Sequence, residues 1–207
     1  MKTVLLIVSF YIMTSCHAMV GNMHFFHISS KDGLPHQQIQ ALATDADGNI
    51  WIGTRNGLSR YDGYSIKTYF HEQGNPRSLL HNFIYKLFVD SKKRIWICTQ
   101  EGLCRYHPAT DDFETYSEPR HIVSSIIETG KGKIVCGGEQ LSVYNERTNR
   151  FSSYPALESG YILSLATDRK DNLYVATSTS IFYYNPAMTR ITHINRSYFS
   201  GFMTGGD

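Results

Sequence analysis

The sequence predicts an all-β chain, because short strand-like segments separated by turn residues recur at a regular spacing. Four tyrosines close similar segments and lie 45, 38 and 40 residues apart: Tyr61, Tyr106, Tyr144 and Tyr184. The fourteen Tyr and eleven Phe suit pleated strands as well. Units of about 40 residues with four short strands each are typical of β-propeller blades. We therefore predict four four-stranded antiparallel blades in an incomplete ring.

Each unit contains four strand signals in the same order. An apolar alternation comes first, at 39–44, 84–89, 123–127 and 162–167. A strand centred on an aromatic residue follows, then a strand that ends in the repeated tyrosine, then one with two large apolar residues three positions apart. Gly, Asn and Asp between these signals favour tight turns. The blades are predicted at roughly 36–70, 80–116, 121–154 and 160–195.

Two recurring positions predict how the blades pack. Trp51, Trp96 and Tyr174 occupy the centre of the second strand, and we expect them between neighbouring blades rather than in a ligand-stacking role. Two residues later the chain has a small residue, which would let the sheets approach: Gly53, Cys98, Gly137 and Ala176.

The N-terminus predicts export. Residues 1–18 resemble a secretory signal, with Lys2 before an apolar segment at 4–13 and a small-residue cleavage site after Ala18. The apolar segment is too short to span a membrane. A lipoprotein signal with the lipid on Cys16 is the alternative, and both interpretations export a domain at 19–207.

One strand signal lacks the rest of its blade. Phe25 and Ile28 have the spacing of a fourth strand, but no first, second or third strand precedes them. Such a strand would complete a blade that lies beyond Asp207, and residues 196–207 are expected to begin a fifth blade. We therefore interpret the chain as the N-terminal part of a longer protein.

The cysteines leave two interpretations open. Cys98 and Cys104 flank a tight hairpin link and could form a disulfide in an oxidising compartment. Alternatively, Cys98 is one more small residue at the position of Gly53. The chain has no Cys-x-x-Cys pair, so the sequence gives no support to zinc or thioredoxin chemistry.

Composition and motifs argue against several functions. The net charge of +2 without a basic cluster does not suggest nucleic-acid binding. Asp45, Asp47 and Asn49 resemble the start of a calcium loop, but Ile50 and Asn56 stand where that loop needs Gly and Glu. No nucleophile elbow, phosphate loop or metalloprotease motif is present. We predict no catalytic residue, metal ligand or cofactor in this chain.

The first two units resemble a known repeat. The segments 33–39 (GLPHQQI) and 45–63 (DADGNIWIGTRNGLSRYDG) are similar to the two-component regulator propeller repeat, and the resemblance extends over 24 to about 195. It implies the periplasmic sensor region of a hybrid two-component system of Bacteroides-type bacteria, which typically binds oligosaccharides. The remaining receptor, including further blades and a kinase, would be a partner outside this chain. An enzyme on the same scaffold, such as a streptogramin-type lyase, is the alternative.

The blade topology predicts a recognition surface. Links between blades and links between second and third strands emerge on one face, with mixed hydrogen-bonding side chains that suit a polyhydroxylated or anionic ligand. The predicted ligand-binding residues are His36, Gln37, Arg55, His81, Asn82, Gln100 and Arg120. Tyr161 lies nearby as a stacking surface. His36 and His81 occupy equivalent places in two repeats, which a structural role would also explain. The missing blades and a homodimer contact are the alternative locations for the site.

Overall fold

The computed structural model describes residues 27–154, 160–188 and the backbone of 191–195. These residues form sixteen strands in four antiparallel sheets, and each sheet contains four strands that are consecutive in the chain. The predicted fold class is therefore confirmed: the four blades form an arc that does not close into a ring. The predicted signal at 1–18, Phe25 of the N-terminal strand and the fifth blade at 196–207 lie outside the described residues. Ile28 lies in irregular backbone before a short 3-10 turn at Ser30–Asp32.

The strand bounds follow the predicted order in every blade. Blade 1 contains β1 Ile39–Thr44, β2 Ile50–Thr54, β3 Gly57–Tyr61 and β4 Ile66–Tyr69. Blade 2 contains β5 Ile84–Val89, β6 Ile95–Thr99, β7 Gly102–His107 and β8 Asp112–Thr115. Blade 3 contains β9 Val123–Glu128, β10 Ile134–Gly138, β11 Leu141–Asn145 and β12 Arg150–Ser153. Blade 4 contains β13 Ile162–Thr167, β14 Leu173–Thr177, β15 Ser180–Tyr184 and β16 Ile191–Asn195.

The two tryptophans pack between blades, as predicted. Trp51 stacks on Tyr69 of its own blade with ring centroids 5.8 Å apart and contacts Tyr106 of blade 2 at 4.6 Å. Trp96 repeats this arrangement between blades 2 and 3. Both indoles are fully buried. Each pair of neighbouring blades thus shares its own aromatic and aliphatic core. Tyr174 differs, because it lies on the side of blade 4 that no described blade covers, where it contacts Tyr183 of the same sheet.

The small residues set the distance between sheets. A Cβ atom added to Gly53 would lie 2.7 Å from Cγ2 of Ile84 in the next blade. A Cβ atom on Gly137 would lie 2.6 Å from Cγ2 of Ile162. Real Cβ atoms do not approach other carbons so closely, so both glycines are required by the spacing of the blades. This confirms the packing role predicted for this position.

Of the two interpretations of Cys98 and Cys104, the disulfide is excluded and the small-residue role of Cys98 is confirmed. Cys98 pairs with Leu103 across the hairpin and packs in the core between blades 2 and 3. Cys104 packs in the core between blades 1 and 2, on the other side of the sheet. Because side chains of neighbouring positions alternate between the two faces of a strand pair, the thiols point apart. Both thiols are free and buried, and burial raises the pKa of Cys104 to about 12.

In blades 1 and 2, the aspartate of the turn between the first and second strands bonds to the tryptophan of the second strand of the same blade. Asp45 accepts backbone N–H groups of its own turn and the indole N–H of Trp51 at 2.8 Å. Asp90 accepts the indole N–H of Trp96 at the same distance. Blade 3 has Thr129 in place of the aspartate and lacks the tryptophan as well. In blade 4, Asp168 accepts a hydrogen bond from the hydroxyl of Tyr174 at 3.5 Å. The aspartate therefore holds the aromatic side chain of the second strand, whereas the sequence indicated only a turn.

Candidate functional site

The links between blades and the links between second and third strands meet on one face, as predicted. The backbone N–H of Arg55 donates to the carbonyl of Gln38 at 3.3 Å, and that of Gln100 donates to the carbonyl of Phe83 at 3.2 Å. The N–H of Gly57 donates to the carbonyl of Asn82 in the next blade at 2.7 Å. We call this side the upper face and the side with the first turn of each blade the lower face.

A β-bulge interrupts the first strand of every blade close to the upper face. The bulged residues are Gln40, Tyr85, Ser124 and Leu163. First strands of successive blades contact one another, which places them at the inner edge of the arc. A bulge changes the direction of a side chain without ending the strand. The inner edge of the upper face therefore carries four redirected side chains, a feature that the sequence analysis did not identify.

An aromatic and cationic cluster lies at this edge. The rings of Phe83 and Tyr85 lie 4.6 Å apart at an interplanar angle of 33°. The guanidinium of Arg55 lies 5.1 Å from the centre of the Phe83 ring, and its Nη1 donates to Oε1 of Gln38 at 2.9 Å. These contacts hold the cation above an aromatic surface, an arrangement that is favourable in itself. We call Arg55, Phe83, Tyr85, Glu139 and Tyr161 the upper cluster.

Tyr161 contributes a buried hydroxyl to the upper cluster. Burial raises its pKa to about 12, and the neighbouring Tyr85 and Glu139 act in the same direction. Its oxygen is buried and has no hydrogen-bond partner among the described residues. An unpaired buried hydroxyl is costly, so a ligand that supplies a partner recovers that free energy. The sequence predicted Tyr161 as a stacking surface and missed Phe83 and Tyr85, although both aromatic residues stand at the start of the first strand of blade 2.

The two predicted histidines shape the loops. Nδ1 of His36 accepts the backbone N–H of Gln38 at 3.0 Å, and Nδ1 of His81 accepts that of Phe83 at 2.9 Å. The same turn is thus formed before two successive first strands. This contact gives a structural reason for the equivalence of the two histidines, and it presents Gln38 and Phe83 at the upper cluster.

The other predicted ligand-binding residues do not all lie beside the upper cluster. Asn82 lies next to Phe83, and its Oδ1 accepts the backbone N–H of His71 at 2.6 Å. Gln100 is exposed, with its backbone bonded to Phe83. Gln37 lines a shallow groove of about 430 Å³ beside His36. Arg120 is exposed, and within 27–154 and 160–188 no hydrogen bond or ion pair connects it to the others.

The lower face contains a larger cleft of about 600 Å³ between blades 1 and 2. Three arginines line it, but their charges are already paired. Arg60 bonds to Asp111, Arg94 to Asp90 and Glu146, and Arg105 to Glu114. Arg60 and Arg105 also donate to tyrosine hydroxyls of the next blade. These arginines therefore brace neighbouring blades, and the upper cluster is the better candidate for a ligand.

No three His, Cys, Asp or Glu side chains within 27–154 and 160–188 come together in a way that could hold a metal ion. In the same part of the chain, no helix has the length and apolar character needed to cross a membrane.

Comparison with known proteins identifies the repeat. The family described as two component regulator propeller matches residues 33–56 and 78–101, which lie in the first two units of the repeat. A curated relative, histidine kinase P4 of Formosa agariphila, is 32% identical over 59 residues, which are 28% of this chain and 4% of the kinase.

Solved structures share the fold. One is described as the extracellular domain of a hybrid two-component system of B. thetaiotaomicron, with a TM-score of 0.72, 21% identity and coverage of 82% of this chain and 26% of that one. A second domain with the same description and organism has a TM-score of 0.65, 26% identity and coverage of 76% and 22%. A virginiamycin B lyase of Staphylococcus aureus has a TM-score of 0.60 and 15% identity over 78% of this chain and 57% of the lyase. The chain thus spans about a quarter of the two extracellular domains.

Proposed function

We propose that this chain, which carries two-component regulator propeller repeats, is a ligand-sensing, extracytoplasmic part of a two-component signalling receptor. The support comes from the repeats at 33–56 and 78–101 and from the likeness to extracellular domains of such systems. The rest of the receptor, including its kinase, is the proposed partner. The likeness to the lyase is one of fold alone. We therefore propose binding without catalysis.

The proposed ligand is an oligosaccharide, and the upper cluster carries this proposal. Aromatic rings such as Phe83 and Tyr85 can pack against the apolar face of a sugar ring. Arg55 retains N–H groups for a carboxylate or sulfate, since only Nη1 is engaged by Gln38. The buried hydroxyl of Tyr161 offers a further hydrogen bond. The predicted residues Asn82 and Gln100 lie at the rim.

The proposed location is the periplasm. It rests on the signal predicted at 1–18 and on the extracellular placement of the similar domains. Cleavage after Ala18 would release a periplasmic domain, whereas lipid attachment at Cys16 would anchor it.

Calorimetric titration of the receptor tests the site with three probes: a neutral, a carboxylated and a sulfated tetrasaccharide. We expect one of the three probes to bind to the wild type. The double variant Arg55→Ala, Tyr161→Phe should bind that probe at least tenfold more weakly. Arg147→Ala combined with Tyr64→Phe is the matched control, because both residues are exposed on the lower face.

Two results would overturn parts of this proposal. Equal affinities of the two double variants would show that the ligand binds outside the upper cluster. Absence of binding by all three probes would exclude oligosaccharides of these classes as the ligand.

A further inference from the structure

Three successive blades have a lysine at the same position of the turn between their first and second strands. Lys92, Lys131 and Lys170 lie 39 residues apart, and blade 1 has Asp47 at the equivalent place. The residue after each of these four has a positive φ, between 64° and 86°, which confirms the equivalence. All three lysines are exposed on the lower face. We call Lys92, Lys131 and Lys170 the lysine row.

Hydrogen bonds between neighbouring turns bring the three lysines into one strip. In the turn of blade 2, the backbone N–H of Ser91 donates to Oε2 of Glu128, beside the turn of blade 3, at 2.7 Å. In the turn of blade 3, the N–H of Gly130 donates to Oδ1 of Asp171, in the turn of blade 4, at 2.6 Å. Each turn therefore touches the next, and the lysine row follows these contacts along the lower face.

These turns expose their cations and bury their carboxylates. Four carboxylates in or beside the turns are at least partly buried and accept hydrogen bonds: Asp90, Glu128, Asp168 and Asp171. Lys131 and Lys170 have no ion pair within 27–154 and 160–188, and Lys92 is 57% exposed although it pairs with Glu146 at 3.0 Å. The strip therefore attracts a partner whose negative charges repeat, and the attraction weakens as salt rises.

Clefts beside the lysine row favour a polysaccharide as this partner. Lys92 borders the cleft of about 600 Å³ between blades 1 and 2, and Lys131 borders a second one of about 420 Å³. Tyr144 and Tyr154 line the smaller cleft, and tyrosine rings can pack against sugar rings. Insertion into a lipid layer would need apolar side chains, and none is present in the three turns, at 90–94, 129–133 and 168–172.

We propose that the lysine row binds an acidic polysaccharide along the lower face, at a site separate from the upper cluster. Sulfate or carboxylate groups of the polymer pair with the lysines of successive turns, and its sugar rings enter the clefts. The row ends at blade 1, because Asp47 repels an anion there. This inference uses the proposed extracytoplasmic location, but it depends neither on the upper cluster nor on the sensor role.

Calorimetric titration of the receptor with a heparin dodecasaccharide tests the lysine row, and a neutral dextran of equal length should not bind. All variants carry Arg55→Ala and Tyr161→Phe, so that the upper cluster does not contribute. Lys131→Gln combined with Lys170→Gln should weaken binding about tenfold or more at about 50 mM salt and lower the slope of log K against log salt by about two. The matched control, Lys31→Gln with Arg120→Gln, removes two exposed cations elsewhere and should weaken binding less than about threefold.

Asp47→Lys is the decisive variant, because it extends the row by one blade. Asp47 is exposed, and the three equivalent turns accept lysine at this position. We expect heparin to bind about fivefold or more tightly. Glu101→Lys makes the same change of charge on the upper face and should leave the affinity unchanged. Far-UV circular dichroism checks that each variant keeps its strands.

Four results would overturn the proposal. Absence of heparin binding, or equal losses in the two double variants, would exclude the lysine row, as would an unchanged affinity of Asp47→Lys. Heparin that binds to the wild type but not to the Arg55→Ala, Tyr161→Phe protein would place the anion at the upper cluster. Phosphatidylglycerol vesicles that bind more tightly than heparin through the same lysines would assign the lower face to a membrane.

Discussion

The carboxylate of Asp111 ties blade 1 to blade 2, and its removal gives a quantitative test of the inter-blade network. Asp111 lies in the turn between the third and fourth strands of blade 2. It accepts hydrogen bonds from Tyr106 at 2.6 Å and Tyr69 at 2.7 Å, from Lys67, and from Arg60 at 3.4 Å. Three of these four donors belong to blade 1. Asp111→Asn keeps the shape of the side chain and removes its charge.

The pKa of Asp111 sets the size of the effect. Partial burial favours the neutral acid, but hydrogen bonds from Lys67, Tyr106 and Tyr69 outweigh it and hold the pKa at about 2 instead of 3.8. The side chain is 32% exposed, so after allowance for solvent screening the charge contributes about 1–2 kcal/mol to the free energy of unfolding at pH 7. Because the folded-state pKa is lowered, this contribution is complete above about pH 4 and is lost as the pH falls through 2.

The next interface supplies a rescue for Asp111→Asn. There Asn149 holds the position of Asp111, with φ of 52° against 54°, so asparagine suits the backbone equally well. Nδ2 of Asn149 donates to Oε1 of Glu114 at 2.5 Å, and Glu114 also pairs with Arg105. Glu114 holds the position of Lys67 in the strand register. Lys67→Glu should therefore destabilise the wild type but restore stability to Asp111→Asn.

Urea unfolding of the four proteins in this cycle, at pH 7 and at pH 2, measures the effect. At pH 7 we expect each single variant to lose about 1–2 kcal/mol and the double variant to regain most of it. The difference between wild type and Asp111→Asn should shrink as the pH approaches 2. A double variant no more stable than Asp111→Asn, or a difference that does not change with pH, would refute the reasoning.

Three further predictions concern the cores and the N-terminus. Trp96→Phe should lower the free energy of unfolding in urea by about 1–3 kcal/mol in addition to the loss from reduced packing, because the buried Asp90 loses its indole donor. Gly53→Ala should cost about 1–3 kcal/mol in thermal unfolding, because its Cβ would lie 2.7 Å from Ile84. N-terminal sequencing of exported protein should show a mature chain that begins near Met19.

A specific result would contradict each of these three predictions. Trp51→Phe is the comparison for Trp96→Phe and should cost less, since Asp45 is only partly buried whereas Asp90 is buried; equal losses would argue against the desolvation explanation. A Gly53→Ala protein as stable as the wild type would show that the sheets can move apart freely. An intact Met1 would exclude cleavage, and a lipid on Cys16 would support the lipoprotein alternative.

The strands were predictable from the sequence because the blade is a local unit. Antiparallel neighbours joined by short turns leave their alternation in the chain, and the first strands predicted at 39–44, 84–89 and 162–167 coincide with β1, β5 and β13. The packing role of Gly53 and Trp51 was predictable for a similar reason: the repeat itself shows which positions must stay small or aromatic.

The site was less predictable, because it depends on contacts between blades. The bulge at Tyr85 shifts the register by one residue, and its mark in the sequence is the three-residue spacing of Ile84 and Leu87, which the analysis of strand alternation did not use. The sequence could place His36 and His81 in equivalent loops, but it could not show that their rings accept backbone N–H groups. The two interpretations of Cys98 and Cys104 stayed open for the same reason, since proximity along a hairpin does not show whether two side chains share a face.

The three separate cores between blades have an evolutionary consequence. No hydrogen-bonded strand ladder connects one described blade to the next, and each core is built from two neighbouring blades. Duplication of a coding segment of about 40 codons would therefore insert a blade that finds a compatible neighbour on each side. Sequence drift within one interface, such as the exchange of a Lys67–Asp111 pair for a Glu114–Asn149 pair, need not be matched elsewhere. Genes for such chains can therefore lengthen and diversify one blade at a time.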